Sequence, residues 1–415
     1  MASQLIINIH QLVNTRTDSF LLRGPELALL PVLEDAYLIT EGEEIAGYGR
    51  MSEIPASIRQ QGPGVIDAGG QSVLPAWCDS HTHLVFAGSR ETEFVDKIKG
   101  LSYAELHARG GGILNSAARL NECSADSLFN LAWKRLEEIS RLGTGAVEIK
   151  SGYGLTVEGE LKMLRVIKKL KEKSNLSIRA TFLGAHSYPA GFRENHQGYI
   201  DLLLNEMLPV IAAEKLADYI DVFCETGFFS PEETAQICRE GIKYGLKPRL
   251  HVNQLNSIGG ISTGIGLHAV SLDHLETMTA SDIRDLAGSP VIGTLLPTAA
   301  FFLRMGYQPA RALIDAGAAI ALASDYNPGS SPSGNMNFVL SLSCIQLKML
   351  PGEAINAATL NGAFALEWGD ELGSISLGKK ANLIFTRPIP SLMYLPYAFG
   401  TNLIDRVMIK GEFIS

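Results

Sequence analysis

Apolar runs of strand length alternate with helical patterns through the middle of the chain. Eight such runs occur in the order SVLPAWCDSHTH, GAVEIKSGYG, IRATFLGAHS, YIDVFCETG, KPRLHVNQ, VSLDHLE, PVIGTLLPT and AAIALASDYNP. Helix-compatible sequence follows each run, and after the fourth run Ser230, Pro231 and Glu233 supply helix-start signals. Alternation of strands and helices predicts a parallel sheet, and eight units fit a closed (β/α)8 barrel.

Short β-rich pieces lie at both ends of the chain. They are LIINI, AYLIT and GVIDAGG near the start, then ISLGKKANLIFT and RVMIKGEFI near the finish. We expect these pieces to form one small β-sandwich domain from residues 1–72 and 374–415. The α/β part of the molecule, a TIM-like (β/α)8 barrel, is then expected over residues 73–373.

Composition narrows the classes of partner. A length of 415 residues suits a barrel of about 250 residues with a satellite domain. The net charge of -9 and the lack of a dense basic run argue against a nucleic-acid binder. Because the chain is negatively charged overall, an anionic substrate would need a local basic group. No basic leader or bilayer-length apolar run occurs, which predicts a cytoplasmic protein without membrane contact. The 5 cysteines form no C-x-x-C pair, and we expect reduced thiols.

Residues whose side chains can bind a metal or take part in catalysis fall at the ends of seven of the eight runs. These residues are His81, His83, Tyr153, His186, Glu225, His251, His274 and Asp325. Each histidine taken alone is more simply explained as a hydrogen-bonded structural residue. In a barrel, however, the carboxyl ends of all strands face one mouth, so the set is expected to converge on one site.

The histidines predict a metal centre. His81 and His83 are two residues apart, so on an extended strand both side chains point to the same face. With His251 and Asp325 they make a ligand set that suits Zn²⁺ and also accepts iron or manganese. Such an ion would activate water for the hydrolysis of an amide.

The order of these motifs resembles the amidohydrolase superfamily, with HTH at the first strand, histidines at the fifth and sixth, and SD at the eighth. The terminal segment GSISLGKKANLIF is also similar, although Asn382 stands where Asp is usual. Within the superfamily, the imidazolonepropionase family is the closer match. The segments that carry this resemblance are DSHTHLVFAGSRETEF, SYAELHARGGGI, EIKSGYGL, FLGAHSYP, HVNQLNSIGG and SDYNPGSSP.

The resemblance implies a reaction, a cofactor and a set of substrate contacts. The implied reaction is the ring opening of 4-imidazolone-5-propanoate to N-formimidoyl-L-glutamate, a step of histidine degradation, with one Zn²⁺ or iron ion per chain. Arg90 would pair with the propionate. The other implied substrate-binding residues are Tyr103, Tyr153, His186, Gln254, Asn327, Gly329 and Ser330.

Glycines at two places in the chain have predicted roles. Gly329 would let backbone N–H groups approach an anion. The run Gly110–Gly112, with Tyr103 and His107 nearby, would form a lid over the site, or otherwise a simple turn or hinge.

Asp325 and His274 are the candidates for proton transfer, with Asp325 as base and His274 orienting water or stabilising an oxyanion. Gln254 belongs to the same catalytic group, at a position where some relatives carry Glu. An amide takes no proton at neutral pH, so we expect Gln254 to hydrogen-bond the substrate ring. Glu225 would hold a second metal if the centre were binuclear, but one metal is the favoured interpretation.

Other functions stay open. A purine or pyrimidine deaminase, or another cyclic amidase of the superfamily, would share the metal ligands but would not need Arg90. A non-catalytic scaffold would normally have lost the ligand set. Barrels of this type commonly form homodimers, and the sequence identifies no interface.

Overall fold

The computed structural model of the chain describes residues 3–54, 64–100 and 112–414. Tyr103, His107, Gly110 and Gly111 lie outside the described residues, so the predicted substrate contact of Tyr103 and the predicted lid stay predictions. Gly112 begins the next described segment with a φ of 82° and precedes a helix.

Five strands open the chain: β1 (Ser3–Val13), β2 (Val32–Glu41), β3 (Glu44–Arg50), β4 (Gly64–Asp67) and β5 (Ser72–Pro75). β2 pairs antiparallel with β1 and β3, whereas β4 and β5 both pair parallel with β1. The N-terminal part of the chain therefore builds most of one mixed sheet.

Eight parallel strands follow, one for each predicted run: β6 (Trp77–Asp79), β7 (Thr144–Lys150), β8 (Ser177–Ala185), β9 (Tyr219–Cys224), β10 (Lys247–Val252), β11 (Ser271–His274), β12 (Ile292–Leu295) and β13 (Ala319–Leu322). Each strand pairs with its neighbours in chain order, which confirms the predicted TIM-like barrel.

The first and last barrel strands are joined just beyond their carboxyl ends. Thr82 forms a parallel bridge with Tyr326, and the His83 N–H donates to the Tyr326 carbonyl at 2.9 Å. The Asp325 N–H donates to the His81 carbonyl at 3.0 Å. This closure brings residues more than 240 positions apart in sequence to the same point of the barrel mouth.

The C-terminal strands return to the N-terminal sheet: β14 (Leu383–Thr386), β15 (Ile404–Ile409) and β16 (Glu412–Phe413). β14 pairs with β5, so the sheet has the order β16-β15-β14-β5-β1-β2-β3, with β4 beside β1. Buried Ile6 and Leu12 from one terminus share a core with Leu383, Phe385 and Met408 from the other. The prediction that both termini build one β unit is confirmed, and it takes the form of a mixed sheet.

The helices of the described residues are α1 (Glu91–Ile98), α2 (Ile113–Glu122), α3 (Ala125–Arg141), α4 (Val157–Lys173), α5 (His196–Leu202), α6 (Leu208–Glu214), α7 (Pro231–Lys243), α8 (Gly260–Gly266), α9 (Ala280–Ala287), α10 (Pro297–Leu303), α11 (Ala310–Asp315), α12 (Met336–Ile345), α13 (Pro351–Ala358), α14 (Leu360–Ala365) and α15 (Tyr394–Tyr397). A π-helical turn, Leu203–Met207, joins α5 to α6, and 3-10 turns cover Gly24–Ala28, Met51–Glu53 and Ala190–Phe192.

The predicted start of α7 is confirmed. The Ser230 side chain accepts from the Glu233 N–H at 3.1 Å, and the Glu233 carboxylate accepts from the Ser230 N–H at 2.7 Å. Pro231 occupies the first helical position, where its missing N–H costs nothing. Among the described residues, no helix combines the length and the apolar character that a bilayer crossing requires. All 5 cysteines are free thiols, as expected.

Candidate metal centre and active site

His81 and His83 follow β6 on the stretch that closes the barrel, and both are buried. The bridge at Thr82 keeps this stretch extended, so its two neighbours point to the same side. The Nε2 atoms of His81 and His83 each lie 3.5 Å from Asp325 Oδ1. His251, at the end of β10, places its Nε2 atom 3.4 Å from His83 Nε2. The four predicted ligands are thus brought together.

A fifth side chain joins this cluster. His274 ends β11, and its ring centroid lies 5.2 Å from that of His251 and 5.7 Å from that of His81. Two sets of ligand atoms within 4.8 Å of one another are present among the described residues. They are His81, His251 and His274, and His81, His83 and Asp325.

The chemistry of these donors fits a metal ion. The Nε2 atom of His81 is buried and has no hydrogen-bond partner among the described residues, a costly state that a metal would relieve. Burial, aided by the nearby Lys150 ammonium, holds the pKa of His81 well below its ordinary value. Burial also lowers the pKa of His83 and of His251. Neutral imidazoles are the form that binds metals.

Two carboxylates orient the metal-facing imidazoles. Asp273 accepts from His81 Nδ1 at 2.7 Å, and Asp221 accepts from His251 Nδ1 at 3.0 Å. Because a carboxylate only accepts at neutral pH, each Nδ1 carries the proton and each Nε2 is left free to bind. The Lys150 ammonium lies between the two carboxylates, 2.8 Å from Asp221 Oδ2 and 3.8 Å from Asp273 Oδ2.

This buried layer was missed by the sequence analysis. Its side chains lie inside the barrel on strands β7, β9, β10 and β11, and they comprise Glu148, Lys150, Asp221, Arg249 and Asp273. The available signal was a charged residue inside an otherwise apolar strand run. Such residues are rarely buried without a partner, so their recurrence in four runs indicates a shared interior network.

His274 and Asp325 have surroundings that differ from those of His81, His83 and His251. Burial acts to lower the pKa of His274, but the Glu276 carboxylate lies 3.4 Å away and acts to raise it. The net result is a pKa above the ordinary value of histidine. Burial raises the pKa of Asp325 to about 6, against the lowering effect of His274. The pair therefore has opposite charges or shares a proton near neutral pH, which suits proton transfer.

The predicted substrate residues of the described chain line one cavity of about 600 Å³ that opens onto the cluster. These residues are Arg90, Tyr153, His186, Gln254, Asn327, Gly329 and Ser330. Phe94, Ile98, Phe228, Leu255 and Phe302 add apolar surface. An apolar cleft with a few converging polar groups is the usual form of a small-molecule site.

Arg90 is mostly buried, with only 11% of its side chain exposed. Its guanidinium lies 3.7 Å from the Glu93 carboxylate and hydrogen-bonds the Tyr153 hydroxyl. Burial raises the pKa of Tyr153, so the phenol keeps its proton. Arg90 is therefore a charged group held at the cavity wall and not a solvated loop residue.

The loop after β13 shows a reason for the glycine at position 329 that differs from the predicted one. The N–H groups of Gly329 and Ser330 both donate to Asn327 Oδ1 at 2.8 Å, so they are already engaged. A Cβ atom on Gly329 would lie 1.6 Å from Arg90 Nη2. The absent side chain thus makes room for Arg90. Ser330 Oγ donates to Asp325 Oδ2 at 3.0 Å, which ties the loop to the ligand cluster.

Glu225 takes no part in the cluster of close ligand atoms among the described residues. Its carboxylate accepts from the backbone N–H groups of Thr226, Leu255 and Asn256, at 2.8 to 3.1 Å. Glu225 therefore fixes the loop that carries Gln254.

Comparison with known proteins identifies the family. The Amidohydrolase family model matches residues 209–414. The chain is 56% identical to imidazolonepropionase from Flavobacterium johnsoniae and 51% identical to imidazolonepropionase from Christiangramia forsetii, over 99% of each chain in both cases.

Solved structures of similar fold include a guanine deaminase from C. acetobutylicum with bound guanine, with a TM-score of 0.72 at 16% identity over 100% of both chains. An adenosine deaminase from Xanthomonas campestris with bound zinc has a TM-score of 0.69 at 17% identity, covering 99% of this chain and 92% of that one. Identities this low support the fold alone. On the full-length relatives, the chain belongs to the imidazolonepropionase family of metal-dependent amidohydrolases.

Proposed function

We propose that this chain hydrolyses 4-imidazolone-5-propanoate to N-formimidoyl-L-glutamate, with one zinc or iron ion held by His81, His83, His251 and Asp325. The observation that carries the choice of substrate is Arg90, a mostly buried guanidinium in the same cavity as the ligand cluster. A substrate with a carboxylate tail and a cyclic amide needs both features in one cavity.

The bound ion would supply Lewis acidity, lowering the pKa of water and polarising the ring carbonyl. The protein groups have separate tasks. Arg90, with the Tyr153 hydroxyl beside it, binds the propionate, and Gln254 and His186 hydrogen-bond the ring. Asn327 and Ser330 hold the loop that carries Asp325.

Proton transfer is assigned to Asp325 and His274. Asp325 accepts a proton from the attacking water while His274 stabilises the negative charge that forms on the carbonyl oxygen. The bond between the carbonyl carbon and the ring nitrogen then breaks, and Asp325 returns the proton to that nitrogen. The carbonyl carbon becomes a carboxylic acid, and the remaining proton of the added water then passes from it to the formimidoyl group or to solvent, which leaves the new carboxylate and balances atoms and charges.

The main alternative is a deaminase of a purine or pyrimidine. Structural relatives of that kind share the barrel. A neutral base would leave the buried Arg90 without an anionic partner beyond Glu93, at a desolvation cost. A non-catalytic scaffold is disfavoured because the ligand set and the lining residues are all present. The cytoplasmic location and the homodimer stay predictions.

The deciding experiment measures the loss of the imidazolone absorbance and the metal content on the same sample. We expect turnover with one equivalent of zinc or iron, and no ammonia release from guanine or cytosine. Asp325→Asn should lower turnover by at least about 100-fold, because an amide cannot accept the proton.

Three results would change the proposal. Ammonia release without imidazolone turnover would favour the deaminase. Two metal equivalents per chain would exclude the single-ion centre. Near-normal turnover of Asp325→Asn with metal still bound would remove Asp325 as the base.

A further inference from the structure

We propose that Glu160, a buried residue in the first turn of α4, is a positioning residue that sets the orientation of both Tyr153 and His186. It does so by fixing the backbone of residues 151–155, the loop after β7. The inference rests on the proposed function, in which Tyr153 and His186 contact the substrate. Glu160 does not line the cavity, so it acts through the loop and not on the substrate itself.

The Glu160 carboxylate gathers the N–H groups of this loop. Its Oε1 atom accepts from Gly154 N at 2.7 Å and from Leu155 N at 2.9 Å, and its Oε2 atom accepts from Gly152 N at 3.0 Å. The Ser151 side chain is a further hydrogen-bond partner. One fully buried carboxylate therefore satisfies three amides of this turn that the barrel strands do not pair.

The loop has little freedom to relax around this anchor. Gly152 has a φ of +106° and Leu155 a φ of +52°. A Cβ atom on Gly154 would lie 2.3 Å from Glu160 N, so the loop packs backbone to backbone on the start of α4. The Gly154 carbonyl also accepts from Asn121 Nδ2 at 2.8 Å. These positions are strained for most residues and persist because Glu160 and its neighbours hold them.

Gly152 carries the effect to His186. The His186 Nδ1 atom lies 3.0 Å from the Gly152 carbonyl oxygen, which can only accept a hydrogen bond. In the neutral imidazole, Nδ1 of His186 therefore carries the ring proton. The neutral ring presents Nε2 as an acceptor, the form needed to bind a ring N–H of the substrate. Rotation of the Gly152 peptide would remove this control.

Tyr153 lies between two anchored peptides. Its ring centroid is 5.4 Å from that of His186 and 5.8 Å from that of His83, and its hydroxyl hydrogen-bonds Arg90. A shift of the loop would therefore move the phenol and the guanidinium beside it. The alternative is a purely structural role, in which Glu160 stabilises the start of α4 and has no influence on substrate binding.

The test compares Glu160→Gln with the wild-type holoenzyme. The glutamine oxygen would keep the Gly154 and Leu155 bonds, leaving the NH₂ group facing the Gly152 N–H. Two opposed donors should speed hydrogen exchange of the loop amides and raise KM by about tenfold or more, with kcat changed far less. Bound metal should be unaltered. Glu160→Asp, which keeps the charge on a shorter arm, is the second variant if Glu160→Gln folds poorly.

Glu353→Gln is the matched control. Glu353 is also buried, lies in the first turn of α13, accepts from Leu350 N at 2.7 Å and pairs with Arg311, away from the cavity. It should lose thermal stability without a change of KM. A His186→Ala background gives a further readout, since the KM effect of Glu160→Gln should shrink there if it acts through His186.

The outcomes separate two questions. Unchanged loop exchange, an unchanged KM, or KM effects that add fully with His186→Ala would overturn the role of Glu160. Absence of wild-type turnover would instead refute the proposed function, and the exchange data would still show whether Glu160 fixes the loop.

Discussion

Gly329 lies under the guanidinium of Arg90, and this contact gives a prediction for one residue. In Gly329→Ala the new Cβ atom would stand 1.6 Å from Arg90 Nη2, so the guanidinium must move. We expect KM for the imidazolone substrate to rise by about tenfold or more, because a charge-assisted hydrogen bond to the propionate is weakened. Steady-state kinetics with metal analysis of the same sample would measure this.

The control is Gly266→Ala at the end of α8, where a new Cβ atom would meet nothing within 4 Å. It should leave KM unchanged. If Gly329→Ala also bound substrate normally, Arg90 would not be the carboxylate-binding group.

Sequence reasoning reached some residues and missed others for a physical reason. His81, His83, His251 and Asp325 each stand at the end of a recognisable strand run, so barrel geometry alone predicts that they meet. Asp273 contacts His81 across 192 positions of sequence, and no local pattern reports that pairing.

Side chains of β7, β9, β10 and β11 form one polar layer inside the barrel, beneath the candidate metal ligands, and the Lys150 ammonium pairs with its carboxylates. Replacing Lys150 with Met would leave Glu148, Asp221 and Asp273 buried with Arg249 as the remaining cation of this layer. Repulsion or protonation would then loosen the imidazoles that Asp221 and Asp273 hold. We expect metal retention against a chelator to weaken by about 10- to 100-fold.

Lys162→Met on α4 provides the control, since the Lys162 ammonium donates to the carbonyls of Leu120, Asn121 and Cys123 and has no contact with this layer. It should retain metal like the wild type. Equal metal retention by a folded Lys150→Met protein would mean that the two carboxylates orient the ligands without the ammonium.

Element prediction succeeded where the apolar period was uninterrupted and failed where one run served two sheets. Helix-compatible sequence follows the second strand run, and α4 spans Val157–Lys173 there. The first run, residues 72–83, divides into β5 of the mixed sheet and β6 of the barrel. Both halves are fully buried, so the hydropathy of the run does not show that the chain passes from the mixed sheet to the barrel at Ala76.

At the scale of the whole molecule, the mixed sheet and the barrel are held together by buried polar contacts as well as by apolar packing. Asn14 Nδ2 donates to Thr359 Oγ1 at 3.3 Å and to the Gly373 carbonyl at 3.2 Å. Lys379, just before β14, donates to the carbonyls of Gly369 at 2.5 Å and Leu372 at 2.9 Å, in the segment after α14. β-rich sequence at both termini predicted that the ends meet, but not these contacts.

Lys379 makes the stability of this junction depend on pH. Burial lowers the pKa of Lys379 in the folded protein to about 8, from an ordinary value of 10.5. Below about pH 8 both the folded and the unfolded chain carry the proton, and the folded state bears the full cost of the buried charge. Between these two values the unfolded chain holds more protons, so this contribution to stability rises with pH.

Lys379→Met removes the titration, so the melting temperature of the wild type minus that of Lys379→Met should increase by about 2 °C between about pH 7 and about pH 9.5. Lys380→Met is the control: Glu44 and Glu43 raise the pKa of the Lys380 ammonium, which therefore stays charged in both states over this range. Its difference from the wild type should not grow with pH. A Lys379→Met difference that stayed flat or fell would show that the two carbonyls, and not burial, govern the charge on Lys379.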